Sequence, residues 1–327
     1  MPKILVIGAT GYIGRALALS LLRSGNHVVY GLARTAAKAK ELEAIEVIPI
    51  LGSATESAAY LSLIKDRHID VVVDAAGTYD GGFEILRDIR QAGEERLQHA
   101  ENIGVPLNGG RLGFIYTSGE WVHGPTKGGQ IVNDLDPVAV TGTEAPPALI
   151  QWRADLEREV LAASDVLDVA IVRPGVVYGG TSWIFSSWFA ALRDAAVKAS
   201  GQDDVTLPAD GDALIGLVHV EDAGSGLHAA VDKLPELRGT GVWPVFDLTS
   251  SVESVGAILQ HAAKELGVKG RVQFTSTKDD GLAEAMCTSV LTHSGRARTI
   301  LDWQPKRHGM LSQLGLYVMA WKAAQTS

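Results

Sequence analysis

Apolar runs and amphipathic runs alternate along the first half of the chain. KILVIGA (3–9) is continuously apolar, as a strand covered on both faces should be. The pattern predicts a helix from about Tyr12 to Arg23, closed by Gly25. HVVYGLA (27–33) reads as a second strand, 35–43 as a helix and VIPIL (47–51) as a third strand. A helix near 56–66 leads to VVVDAAG (71–77), and another near 83–103 leads to GFIYTSG (113–119). A long helix near 149–163 precedes VAIVRPG (169–175). Strands and helices alternating at this spacing predict an α/β fold with a doubly wound parallel sheet, the Rossmann arrangement.

After Pro174 the character changes. Residues 178–215 carry Gly-, Trp- and Asp-rich loops around a helix, and VWPVFDLTS (242–250) reads as one more sheet strand. Helices are expected at about 253–266 and 279–291. The expected division is a Rossmann domain over 1–177 and a smaller C-terminal substrate lobe over 178–327, with 217–250 returning to the sheet.

Composition narrows the partners. With 46% hydrophobic and only 20% charged residues, the 327-residue chain has enough apolar material for a folded core. The net charge of -9 repels phosphates and anionic lipid, so neither nucleic acid nor membrane is an expected partner. The apolar run in MPKILVIGATG is too short for a signal peptide, and no stretch is long enough to span a membrane. Cys287 is the only cysteine, which excludes an internal disulfide and a Cys-rich zinc site. No metal is expected, and a reducing, cytoplasmic location is the simplest expectation.

GATGYIG (8–14) carries the first chemistry. Gly8, Gly11 and Gly14 follow a strand and open a helix, with Thr10, Tyr12 and Ile13 between them. Gly8 permits the tight turn, Gly11 lets backbone approach a pyrophosphate, and Gly14 lets helix pack on strand. The helix N-terminus adds free N–H groups and a positive dipole end. A dinucleotide is therefore the expected cofactor. Arg34 stands where an acidic residue would hold a ribose 2′-hydroxyl, and a guanidinium there suits a 2′-phosphate. NADP is expected over NAD, with Arg15 and Lys38 as helpers; the alternative is that Arg34 is a solvated charge.

With those pieces, VVVDAAG (71–77), YTSGEWVHG (116–124), VRPGVVYGG (172–180), LVHVEDAGSGLHAAV (217–231) and SGRARTILDWQP (294–305), the chain resembles the extended short-chain dehydrogenases/reductases, the NAD-dependent epimerase/dehydratase family. The resemblance implies a Rossmann sheet, a C-terminal substrate lobe and often a homodimer. It also implies cofactor contacts from Ala75, Ala76, Gly77, Ser118, Arg153, Pro174 and Val176. Catalysis in this family usually needs a Ser or Thr, a Tyr and a Lys four residues after the Tyr, which move a proton while the cofactor moves a hydride.

Here the motif positions depart from that set. Gly119 falls at the usual hydroxyl, Ser118 matches a structural serine, and Leu149 and Arg153 fall at the Tyr and Lys positions. No tyrosine lies between Tyr116 and Tyr178. A helix Asn often seen in the family corresponds to Arg90. The candidates for replacement chemistry are Tyr178, His123 and Arg153. Each has a structural alternative: packing for Tyr178 and His123, and an i,i+4 pair with Glu157 for Arg153. Glu120 reads as a solvated loop carboxylate, and His219 as either a cleft residue or a structural one. Trp121, Trp152, Trp183 and Trp188 fall in segments expected to rim the cleft, which favours a small apolar substrate. The expected function is an atypical NADP(H)-binding reductase or epimerase-like enzyme for a small, largely apolar carbonyl compound, with non-redox chemistry as a variant. The alternative is a catalytically silent NADP-binding sensor or regulator.

Overall fold

The computed structural model describes residues 1–104, 110–126, 129–136, 138, 145–198 and 202–325. Parts of the loop before residue 149, and 199–201 of the 178–215 stretch, lie outside them. β1 (Lys3–Ile7) explains why the main sheet is central. Ile4 and Val6 enter one apolar core, while Leu5 and Ile7 enter another on the opposite face. Period-two side chains apolar on both sides need helices on both sides.

The chain supplies them in order: α1 (Tyr12–Ser24), β2 (Val28–Ala33), α2 (Ala36–Glu43), β3 (Ile48–Leu51), α3 (Ala58–Arg67), β4 (Val71–Asp74), α4 (Tyr79–Asn102), β5 (Gly113–Thr117), α5 (Trp152–Ala162) and β6 (Asp168–Pro174). The second half adds β7 (Val176–Tyr178), α6 (Ser186–Val197), β8 (Val205–Pro208), β9 (Leu214–His219), α7 (Val220–Leu237) and β10 (Val245–Leu248). It closes with β11 (Ser251–Ser254), α8 (Val255–Leu266), β12 (Val272–Thr275), α9 (Gly281–Met286), α10 (Gly295–Ile300) and α11 (Leu314–Ala324).

Seven parallel strands run in the order β10-β6-β5-β4-β1-β2-β3. The order reverses beside β1, so a crevice opens at the C-terminal ends of β1 and β4. Leu17, Ala18 and Leu21 of α1 and Leu227, Ala230 and Val231 of α7 cover one face. Tyr60 of α3, Ile85 and Ile89 of α4 and Leu156 and Val160 of α5 cover the other. A separate lobe core joins α6, α8 and α11 through Trp188, Phe189, Ile258, Leu259, Tyr317 and Trp321, over a three-stranded sheet β11-β9-β7 and the pair β12-β8. Ala297, Leu301 and Trp303, late in the chain, pack back into the α1–α7 core.

Two predicted helices differ from the structure. The one near 279–291 stops at Met286. Beyond it Thr288, Val290, Thr292 and Ser294 are buried at every second position, and Val290 N–H reaches Leu214 O at 3.1 Å. The β-branched side chains of Thr288, Val290 and Thr292 favour this extended course. The one near 149–163 begins only at Trp152, after a single 3₁₀ turn over Ala148–Ile150. Among the described residues no helix is long and apolar enough to cross a membrane.

Candidate active site

The glycine turn forms a cradle. Gly8 has φ +89, and a side chain there would meet the Ala75 backbone at 2.7 Å. A Cβ on Gly14 would lie 2.2 Å from the Gly8 carbonyl oxygen, so α1 seats directly on β1. The N-cap, Gly11, supplies no side-chain hydrogen bond, which leaves the first N–H groups of α1 free for an anion. These residues fit a dinucleotide pyrophosphate, with Thr10, Tyr12 and Ile13 in the same turn. Arg34 is exposed just beyond β2 and forms no ion pair among the described residues. Lys38 instead pairs with Glu41 at 2.8 Å.

The Tyr12 hydroxyl donates to the Gly179 carbonyl, joining the start of α1 to the loop after β7. Beside it lies a cavity of about 210 Å³. Its walls include Ile150, Pro174, Val176, Val177 and Ile184, with Trp121 and Trp183. Ser118, Glu120 and Arg153 are its polar members on the β5 and α5 side. Four consecutive-region atoms are buried without a protein partner: Thr117 Oγ1, Ser118 Oγ, Glu120 Oε1 and Trp121 Nε1. Three of them belong to cavity residues. Buried polar atoms left open at a cavity are the usual mark of a ligand that completes them.

Glu120 corrects the solvated-carboxylate expectation. It is 1% exposed, at the start of the 3₁₀ turn Glu120–His123. Its Oε2 accepts from Thr249 Oγ1 at 2.9 Å and Thr292 Oγ1 at 2.8 Å, and those two hydroxyls are 2.7 Å apart. Burial pushes the Glu120 carboxyl up to about 7, against the pull of the two threonines. The carboxyl fits because β9 carries Gly216: a Cβ there would lie 2.2 Å from Oε2.

Arg153 anchors the other side. Its Nη1 donates to Tyr116 Oη at 3.1 Å and to Thr117 O at 3.2 Å, and the guanidinium lies 4.7 Å from the Trp152 ring centre. Its Nη2 is 3.5 Å from where a Gly77 side chain would begin. Asp74 ends β4 and accepts from Ala76 N–H at 2.9 Å. Burial raises Asp74 to about 6, opposed by that N–H and by Arg153. Ala75, Ala76, Gly77, Ser118, Arg153, Pro174 and Val176 thus gather at the C-terminal ends of β4, β5 and β6. The i,i+4 alternative for Arg153 does not hold, because Glu157 is buried and paired with Arg173, Oε1 to Nε at 2.9 Å.

Two proton-donor candidates are corrected by their placement. Tyr178 is fully buried in the lobe core, edge-on to His219 and Tyr317, and is not among the cavity-lining residues. Burial pushes its hydroxyl well above its ordinary value. His123 is also buried; its Nε2 lies 2.9 Å from Asp247 Oδ2 and 3.4 Å from Arg173 Nη1. Burial works against the Arg173 cation, but Glu157, Asp247 and Asp134 outweigh it and raise its pKa. This network, extended by Asp134 to Arg296 at 2.8 Å, ties α5, β6 and β10 behind the cavity. His219 caps α7, accepting from Glu221 N–H at 3.3 Å, and its burial lowers its pKa. Arg90 pairs with Asp165 and Glu94 on the surface of α4. Leu149 is 50% exposed, and its neighbour Ile150 takes the cavity wall. Of the four tryptophans, Trp121 and Trp183 line the cavity, Trp152 stacks on Arg153, and Trp188 donates to Pro208 O inside the lobe.

Known proteins share this fold. The chain is 27% identical over 333 residues to a 3-diazoavenalumate denitrifying reductase of a Streptomyces species, covering 96% of this chain and 99% of that protein. It is 24% identical over 254 residues to a phenylcoumaran benzylic ether reductase of Pinus taeda, covering 73% and 67%. In fold it is similar to the dTDP-glucose 4,6-dehydratase of Bacillus anthracis in complex with NAD, at TM-score 0.70 and 16% identity over 99% of this chain and 97% of that one. The UDP-glucose 4-epimerase of Thermus thermophilus in complex with NAD gives 0.68 and 15%, over 98% and 99%. The family profile itself runs from residue 4 to residue 243, from β1 through the strand and helix that build the cradle and on past α7, so the chain belongs to the NAD-dependent epimerase/dehydratase family.

Proposed function

We propose that this chain is an NADP(H)-dependent reductase of a small, largely apolar compound, with Glu120 as its proton donor in place of the family's tyrosine. The observation that carries the reading is the buried Glu120 among the residues lining a largely apolar cavity beside the glycine cradle. Bound in that cradle, the nucleotide supplies a hydride. Arg153 orients the cofactor or holds a developing negative oxygen through charge-assisted hydrogen bonds. Glu120, neutral below about 7, gives its proton to the substrate oxygen and recovers it from water. Thr249 and Thr292 hold the resulting carboxylate. Trp121, Trp183, Ile150 and Ile184 exclude water and select an apolar body. Arg34 favours the 2′-phosphate of NADP over NAD.

Both relatives named above are reductases, one of a diazo compound and one of a benzylic ether; neither name describes a carbonyl. The acceptor class therefore includes carbons that lose a leaving group as well as carbonyl carbons. An open cavity with unpartnered polar atoms favours an enzyme over a silent nucleotide sensor. The test is NADPH oxidation against a panel of small aromatic ketones, aldehydes, benzylic ethers and diazo compounds. Turnover with any class, lost in Glu120→Gln, supports the reading. Tight NADPH binding with no turnover on the whole panel favours the sensor.

A further inference from the structure

Away from the cavity, three side chains from two parts of the chain converge at the edge of the α1–α7 face. His27 lies in the turn between α1 and β2, and His228 and Asp232 sit one turn apart on α7. His27 Nε2 is 2.9 Å from Asp232 Oδ1, and His228 Nε2 is 3.2 Å from Asp232 Oδ2. The three donor atoms all lie within 4.8 Å of one another. We propose that His27, His228 and Asp232 bind one divalent transition-metal ion, zinc by ligand chemistry, which clips the α1–β2 turn to α7.

The hydrogen bonds around His27 make the case. Ser24 Oγ gives its one proton to Leu21 O at 2.7 Å. It can therefore only accept from His27 Nδ1, 3.2 Å away. A neutral His27 then carries its proton on Nδ1 and turns the Nε2 lone pair toward a carboxylate oxygen. That contact is repulsive unless a cation stands in it. His228 Nδ1 has a hydroxyl partner too, Ser20 Oγ at 2.9 Å, and its buried Nε2 faces the other oxygen of the same carboxylate without a hydrogen bond. Protonating both rings would place two cations with ring centres 5.2 Å apart; one metal ion satisfies both lone pairs and the carboxylate together. Hydroxyl partners on the far ring nitrogens are the second layer that orients metal-binding imidazoles.

Spacing and access agree. Around tetrahedral zinc, with nitrogen and oxygen ligands at about 2.0–2.1 Å, neighbouring donor atoms stand roughly 3.3 Å apart. The observed contacts of 2.9 and 3.2 Å, one to each oxygen of the Asp232 carboxylate, are close to that spacing. Two imidazoles and one carboxylate suit zinc better than calcium or magnesium, which prefer all-oxygen sites. The Asp232 side chain is 49% exposed, which leaves a water-accessible fourth position, whereas His27 is buried and ties the ion to the core.

The experiment uses metal-stripped, tag-free full-length protein, titrated with Zn(II) by calorimetry and with Co(II) by visible absorption. The expected result is one ion per chain, a tetrahedral Co(II) spectrum and a higher Tm with Zn(II). His228→Gln and Asp232→Asn should each weaken Zn(II) binding at least ~10-fold through loss of one ligand of three, with NADPH affinity unchanged. Absence of saturable binding overturns the proposal. So does equal uptake by both variants, or a Tm that rises on acidification and not with Zn(II), which would make a proton on His27 the occupant.

Discussion

Glu120 Oε2 lies 2.8 Å from the Thr292 hydroxyl although 172 residues separate them. The contact joins the β5 side of the Rossmann half to the extended stretch after α9. The carboxyl is buried and held by Thr249 and Thr292, and burial pushes it up to about 7.

Glu120→Gln keeps the shape and removes the proton. Turnover is expected to fall by about 10²–10⁴-fold, the usual contribution of a general acid, with NADPH affinity unchanged. In the wild type, kcat should decline as pH rises through about 7, and that limb should vanish in the variant. Steady-state pH profiles of both proteins check this. An unchanged limb would assign it to another group.

The same shift has a stability counterpart. The folded state holds the Glu120 proton up to about 7, whereas the ordinary value is 4.5. Stability from this group is complete below 4.5 and is lost as pH rises through the folded value. The Tm of the wild type relative to Glu120→Gln should therefore fall across that window.

Gly216→Ala drives a methyl into the carboxyl, since the added Cβ would sit 2.2 Å from Oε2. A loss of about 1–3 kcal/mol is expected from overpacking, together with loss of turnover. In a Glu120→Ala background the same change should be close to neutral. Urea unfolding of the four proteins of this cycle measures the coupling.

Arg34→Asp should narrow the preference for NADPH over NADH by removing a guanidinium and installing a ribose-hydroxyl acceptor. Calorimetry with both nucleotides reads it directly. Equal affinities in the wild type would sink the NADP assignment.

Tyr178→Phe should leave kcat unchanged, because the hydroxyl lies in the lobe core. Arg173→Met should unfold the protein more easily by about 3–5 kcal/mol, the range for stranding buried partners of a charge. The stranded groups are Glu157 and Asp247. Denaturant midpoints separate the two variants.

The sheet could be read in the sequence because its signals are local. Ile4, Leu5, Val6 and Ile7 are apolar on both faces, and Gly8 to Gly14 follow at once. The acid could not. EW in YTSGEWVHG looks like a loop tip, and what buries Glu120 comes from Gly216, Thr249 and Thr292, far away in the chain. One signal was available: Thr288, Val290, Thr292 and Ser294 alternate with period two, which argues for an extended segment facing the core rather than a helix. The motif neighbours His123 and Tyr178 are buried for the same reason, because Asp247 and Tyr317, distant in the chain, pack against them.

The hydrogen bond from Tyr12 to Gly179 gives the molecule a mechanical property. One bond links the floor of the phosphate cradle to the loop that roofs the cavity. Tyr12 thereby belongs to the glycine turn and to the cavity wall at once.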